Sequence, residues 1–277
     1  MCGITGIIAF SEEGKQHLPK IGDAVNALLH RGPDGNGTYT NRNVALGHAR
    51  LAIIDTTAAA SQPFHSEDKR WTIVFNGEIF NYRELRSDLE NSGIAFHTSS
   101  DTEVLLNLFI RDGKEMLQKL NGFFAFAIYD ADTETTFVAR DRFGEKPLYI
   151  LRDVNSVVFA SEPAAIWSVI SELEINQESI SDFLHLNYVA TGSALVDKLT
   201  RMQPGTWMEF YSGDNDDTYN GDQWYTLPKT SETASKYNDA VREVRVRLEK
   251  AVERRMIADV PLGSFLSGGI DSSVVSA

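Results

Sequence analysis

The first residues that could do chemistry stand at the start of the chain, in Met1-Cys2-Gly3-Ile4, where Cys2 is the only cysteine among 277 residues. Position two has one special property: once Met1 is removed, a thiol and a free α-amine share a residue. An α-amine ordinarily titrates at about 7.7–8.0, so it can accept a thiol proton near neutral pH. A nucleophile carrying its own base is one solution to acyl transfer. The small Cys2 and Gly3 side chains leave room for removal of Met1. A lone cysteine in an apolar strand is also a common small buried hydrophobe, and position alone does not separate the two.

Acyl transfer needs hydrogen-bond donors aimed at a tetrahedral oxyanion. An Asn amide beside a glycine N–H supplies two, and Asn76-Gly77 falls where a predicted strand ends. Asn-Gly is also the strongest short signal for a hairpin turn. The residues after Glu78, however, continue in helical spacing and do not return as a strand. A substrate with a primary amide and an amino-acid head needs a guanidinium for its carboxylate and acidic groups for its ammonium. Arg50, Glu78 and Asp101 can supply these as a set. Singly, Arg50 reads as a strand-end surface charge and Asp101 as a helix N-cap.

A third constellation is Leu266-Ser267-Gly268-Gly269-Ile270-Asp271-Ser272-Ser273. A strand running into Ser-Gly-Gly and then a helix start places N–H groups and hydroxyls around an anion. It lacks the lysine of a Walker loop.

The elements that must hold these groups are mostly strands. Residues 3–10, 44–55, 71–78, 123–130, 135–141 and 156–162 are rich in β-branched and aromatic side chains and bounded by turn formers. Helices are predicted at 82–91 and 102–111, the second capped by Asp101. Long strands with helices set apart imply two packed sheets, an α+β architecture. From about residue 185 an irregular connection leads to a hairpin through 206–210 and 223–227. A helix over 235–258 follows, with Val241, Val244, Leu248, Val252 and Met256 on one face. Residues 260–266 read as a buried strand. The acidic run between the hairpin strands fails as a calcium loop, with Tyr219 and Tyr225 where glycine and the last glutamate are required.

Composition narrows the classes. The formal net charge of −13 argues against nucleic acid as a partner. A single cysteine fits a reducing compartment. No signal segment or membrane span is expected, so the expected location is cytoplasmic. The six histidines lack metal-ligand spacing, and no metal site is expected.

The motifs MCGI, HRGPDG (His30–Gly35), LGHARLAIID (Leu46–Asp55), NGEIFNY (Asn76–Tyr82), SDTEVL (Ser100–Leu105), GFFAFAIYD (Gly122–Asp130) and RDRFGEKPLY (Arg140–Tyr149) come in the order found in the class II glutamine amidotransferases. Across almost the whole chain the set most resembles the glutamine-hydrolysing asparagine synthetases. The resemblance implies an N-terminal-nucleophile αββα sandwich glutaminase followed by an α/β ATP-pyrophosphatase domain with a PP-loop. It makes Cys2 the nucleophile and Asn76 with Gly77 the oxyanion hole. Arg50 would hold the glutamine carboxylate and Glu78 with Asp101 its amine, with the backbone of Leu51, Ala52, Ile53 and Ile54 lining the pocket. Leu266, Ser267, Gly268, Gly269, Asp271, Ser272 and Ser273 match the ATP loop. His30 and His48 would be structural.

The expected division is a glutaminase domain at 1–190, a connection and hairpin at 191–230, and an incomplete ATP-pyrophosphatase start at 231–277. The implied substrates are glutamine, aspartate and ATP, with Mg²⁺ alongside ATP in an intact enzyme and no cofactor for the glutaminase step. An acceptor other than aspartate, a catalytically silent glutamine-binding fragment, and a homo-oligomer all stay open at this stage. Residues beyond about 230 are expected to be loosely held.

Overall fold

The computed structural model describes residues 1–171, 174–189, 194–212, 219–229 and 236–277. The elements run β1 (Gly3–Ala9), α1 (Glu12–Lys15), α2 (Ile21–Asn26), β2 (Gly35–Thr40), β3 (Val44–Arg50), β4 (Phe64–His65), β5 (Trp71–Ile79), α3 (Tyr82–Asn91), α4 (Asp101–Asp112), β6 (Gly122–Asp130) and β7 (Thr135–Arg140). They continue with β8 (Tyr149–Arg152), β9 (Ser156–Ala160), α5 (Pro163–Val169), α6 (Gln177–Leu186), β10 (Leu199–Arg201), β11 (Thr206–Tyr211), β12 (Tyr219–Gln223), α7 (Tyr237–Arg254) and α8 (Ile270–Ser276).

Among the described residues the strands form two six-stranded sheets, ordered β10-β8-β9-β1-β3-β2 and β12-β11-β7-β6-β5-β4. Side-chain alternation sets the layers. Ile4 and Ile8 of β1, Leu46 of β3 and Phe159 of β9 meet Val74, Ala127 and Val138 of the facing sheet. The opposite face of β1, with Ile7 and Ala9, packs on Ile21 and Ala24 of α2 and on Ile166 and Val169 of α5. The outer face of the second sheet, with Phe75 and Phe126, is covered by Leu85 and Leu89 of α3 and Leu105 and Leu108 of α4. The result is the expected helix–sheet–sheet–helix sandwich. Every residue of β1 is buried, because both faces of its sheet are covered.

Several local expectations change. Strand β3 stops at Arg50, well short of residue 55, because the 51–57 segment turns away to hydrogen-bond with side chains. Asn76-Gly77 lies inside β5, which continues to Ile79 against β6. The cap of α4 is Ser100, whose Oγ accepts Thr102 N–H and Glu103 N–H, so Asp101 is released from capping. The hairpin expected at 206–227 forms instead between β11 and β12 and extends the second sheet. The short helices α1, α2, α5 and α6 were not anticipated. The strand read into 260–266 is absent, and Phe265 is 98% exposed. That segment pairs with no strand, and an isolated strand has nothing to bond to. Helix α7 has no buried residue; its apolar stripe faces a groove shared with Val274 and Val275 of α8.

Candidate active site

Strands β1 and β3 are neighbours with Gly3 opposite Ala49, which puts Cys2 and Arg50 at the same end of the first sheet. The facing sheet brings Asn76, Gly77 and Glu78 of β5 to that end, and Asp101 opens α4 beside them. These residues, with Leu51, Ile53 and Ile54, line one cleft. Ala52 alone of the predicted glutamine-site residues lies outside it, on an adjoining cavity.

The Leu51 N–H donates to the Cys2 Sγ at 3.3 Å, and the sulfur lies 3.5 Å from the Leu51 oxygen. Arg31 Nε donates to the Cys2 carbonyl at 3.0 Å while its Nη1 pairs with Glu162 at 2.6 Å. His30 bonds the other oxygen of Glu162. Arg50 closes the 51–57 loop by donating to the carbonyls of Asp55 and Thr57. That leaves its remaining N–H groups for a ligand.

The free edge of β5 shows what the cleft can bind. In an antiparallel strand alternate N–H groups point the same way, so Phe75, Gly77 and Ile79 share an edge. The Phe75 N–H is taken by Gln62 Oε1 at 2.6 Å and the Ile79 N–H by Asp101 Oδ2 at 3.0 Å. The Gly77 N–H between them is left directed at the cleft. A Cβ at this position would lie 2.3 Å from the Phe123 carbonyl, so only glycine lets β5 run so close to β6. Asn76, 1% exposed, has an Nδ2 with no partner among the described residues. An unpaired buried donor costs about 1–3 kcal/mol. With the Gly77 N–H next to it, the cleft offers two adjacent donors to an anion.

The family described as Glutamine amidotransferase domain matches residues 1–224, about four-fifths of the sequence. The chain belongs to this family. The family described as Asparagine synthase matches residues 243–277. Glutamine-hydrolyzing asparagine synthetase 1 of Bacillus subtilis (strain 168) is 35% identical over 280 residues, covering 99% of this chain and 43% of that protein. The chain spans about half the length of the curated relatives it matches. The solved structure of an allosteric regulatory enzyme of purine biosynthesis is similar at 26% identity and TM-score 0.59, over 82% of this chain and 50% of that one. A glutamine phosphoribosylpyrophosphate amidotransferase from B. subtilis, complexed with ADP and GMP, shares the fold at 22% identity and TM-score 0.59, over 99% of this chain and 63% of that one.

Charge in the amidotransferase cleft is set by burial. Burial pushes the Cys2 thiol up, against the Leu51 N–H and the Met1 α-ammonium. It pushes Asp101 up to about 7, helped by the nearby Glu78 charge and opposed by the Ile79 N–H. Glu78 is also raised by burial, which Lys146 and the Met1 α-ammonium oppose. His48 is pushed down to about 3 by burial. It is therefore neutral, and its Nε2 donates to the Phe75 carbonyl at 3.1 Å.

Sequence reasoning missed Lys146, Gln62 and Arg31. Lys146, 8% exposed, lines the cleft. Its ammonium sits 3.8 Å from the Phe123 ring centre and 3.3 Å from Met1 Sδ. The Asp141 carboxylate and the Arg140 guanidinium, which bonds the Lys146, Gly144 and Met202 carbonyls, shape its loop. Arg31 and Lys146 both stand inside quoted motifs, but nothing local says that they reach Cys2.

The 266–273 segment stays apart from the amidotransferase cleft. Gly269 is the N-cap of α8, and Gly268 has φ 80, the left-handed region natural to glycine. Ser267 and Ser272 hydroxyls are 3.0 Å apart, and Ser273 bonds the Gly269 carbonyl. Asp271 is the one carboxylate of the loop. Among the described residues no group of three or more His, Cys, Asp or Glu could hold a metal ion. No helix among them is long and apolar enough to cross a membrane.

Proposed function

We propose that this chain hydrolyses glutamine at Cys2, the observation carrying the reading being the unpartnered Asn76 Nδ2, adjacent to the Gly77 N–H, in the cleft that Cys2 also lines. After removal of Met1, the Cys2 amine takes the thiol proton and Sγ attacks the side-chain amide carbon of glutamine. The oxyanion meets Asn76 and Gly77. As the intermediate collapses, the C–N bond breaks and the protonated amine returns its proton to the leaving group, releasing ammonia and leaving a γ-glutamyl thioester. Water, deprotonated by the same amine, then attacks the thioester to give glutamate and free thiol. Arg50 holds the substrate carboxylate; Glu78 and Asp101 hold its ammonium.

The larger activity proposed is glutamine-dependent asparagine synthesis, in which aspartate, glutamine, ATP and water give asparagine, glutamate, AMP and pyrophosphate. The match to the Asparagine synthase family and the 266–273 loop support it. In that reading 1–190 is the glutaminase domain, 191–230 its connection and hairpin, and 231–277 the first part of an ATP-binding domain in a cytoplasmic enzyme. Mg²⁺ would enter with ATP as part of that substrate. This chain supplies the glutaminase step.

A silent glutamine-binding reading is favoured by one observation: Met1 itself lines the cleft, and in a chain that keeps it the Cys2 nitrogen is tied up in a peptide bond and cannot act as a base. Ammonia release from glutamine by wild type, lost in Cys2→Ala, separates the two; equal release by both overturns the proposal.

A further inference from the structure

The 51–57 loop touches the thiol, holds Arg50 and lines the cleft, yet it is irregular backbone that needs anchoring. Asp34 Oδ2 accepts the Ala52 N–H at 2.9 Å, an anchor within the amidotransferase fold. A further anchor comes from beyond α7. The Asp259 N–H donates to the Ile53 carbonyl at 2.9 Å, and Asp259 Oδ2 accepts the Asp55 N–H at 2.7 Å. This reciprocal pair joins positions 204 residues apart.

Asp55 is the residue that needs it. Its φ of 50 lies in the left-handed region, which a non-glycine residue keeps only when its surroundings impose it. Its Oδ1 accepts from Thr57 and its Oδ2 from Ser99. Its carbonyl accepts the Arg50 guanidinium. Asp259 therefore stands one residue from the group proposed to hold the substrate carboxylate. The segment carrying it is seated independently: Arg255 lies over the Phe80 ring at 4.7 Å, and Ile257 packs on the core between the second sheet and α3–α4.

We propose that Asp259 is a positioning residue of the glutamine site, a latch through which the segment after α7 sets the conformation of Asp55 and the aim of Arg50. The inference rests on the glutaminase reading, and it gives a residue outside the matched amidotransferase region a part in glutamine binding.

The test uses the full chain with Asp259→Ala and Asp259→Asn. Alanine removes the acceptor, whereas asparagine keeps a carbonyl oxygen for the Asp55 N–H. Asp259→Ala should raise KM for glutamine about tenfold, as expected for loss of one charge-assisted hydrogen bond, with kcat within about twofold. Asp259→Asn should restore most of the affinity. A proportional fall in kcat, or no change in either constant, overturns the latch. Hydrogen exchange gives a readout independent of turnover: the 51–57 amides should exchange faster in Asp259→Ala than in Asp259→Asn. Equal exchange in both also overturns it. A wild type without glutaminase activity would refute the glutaminase reading instead, and the exchange result would still decide the latch.

Discussion

At the scale of single residues, the cleft separates groups that react from groups that hold. Asn76 is an oxyanion donor in this account, so Asn76→Ala should lower kcat by about 10²–10³-fold with little change in KM, as found for comparable donors; steady-state ammonia release measures it. Asp101 makes a prediction with a sign. Its carboxyl titrates near 7 in the fold and near 3.8 when unfolded. Between those values the folded state binds more protons, so stability falls as pH rises from about 4 to 7 and then levels. Asp101→Asn keeps an acceptor for the Ile79 N–H and removes the buried charge. It should melt higher than wild type at pH 8, match it more closely at pH 4.5, and bind glutamine more weakly. A lower melting point at pH 8 would contradict this electrostatic assignment. Cys2, Asn76, Gly77 and Asp101 were singled out in the sequence only as a set and through the motifs they stand in, and the fold brings them into one cleft. Lys146, Gln62 and Arg31 were not, because each reaches the cleft through contacts spanning 13 to 145 residues.

Among the elements, β5 matters most. Its edge between Gln62 and Asp101 exposes one N–H and no more, which requires close pairing with β6. Gly77→Ala would drive a Cβ into the Phe123 carbonyl, whose backbone cannot swing aside. The expected cost is about 1–3 kcal/mol, read as a lower urea midpoint, together with loss of turnover beyond what instability explains. The sequence pattern located β5 within a residue at each end but misjudged what surrounds it. Asp101 looked like a cap because acidic residues cap helices; Ser100, one step earlier, does so, and frees the carboxylate to hold the Ile79 N–H. Likewise 260–266 looked like a buried strand because a short apolar run carries no information about whether a partner strand is there.

Across the whole molecule, the sandwich and the segment after it behave differently. Three buried clusters secure the sheets and their helices, and the two-sheet plan was readable from strand composition alone. Helix α7 instead leaves Val241 and Val244 exposed, along with Met256 just past its end and Val274 and Val275 of α8. Exposed apolar surface of this kind promotes association. Val244→Glu with Val274→Ser should reduce concentration-dependent light scattering of this chain without altering glutamine hydrolysis. The central claim is that Cys2 is the nucleophile and acts only with a free α-amine. Its most direct test is intact-mass analysis with peptide mapping after treatment with 6-diazo-5-oxo-L-norleucine, a glutamine-shaped diazoketone that alkylates a reactive thiol with loss of N₂. The account predicts one adduct, on Cys2 of chains lacking Met1, prevented by excess glutamine; an adduct on chains that retain Met1, or glutamine hydrolysis that survives full modification of Cys2, would contradict it.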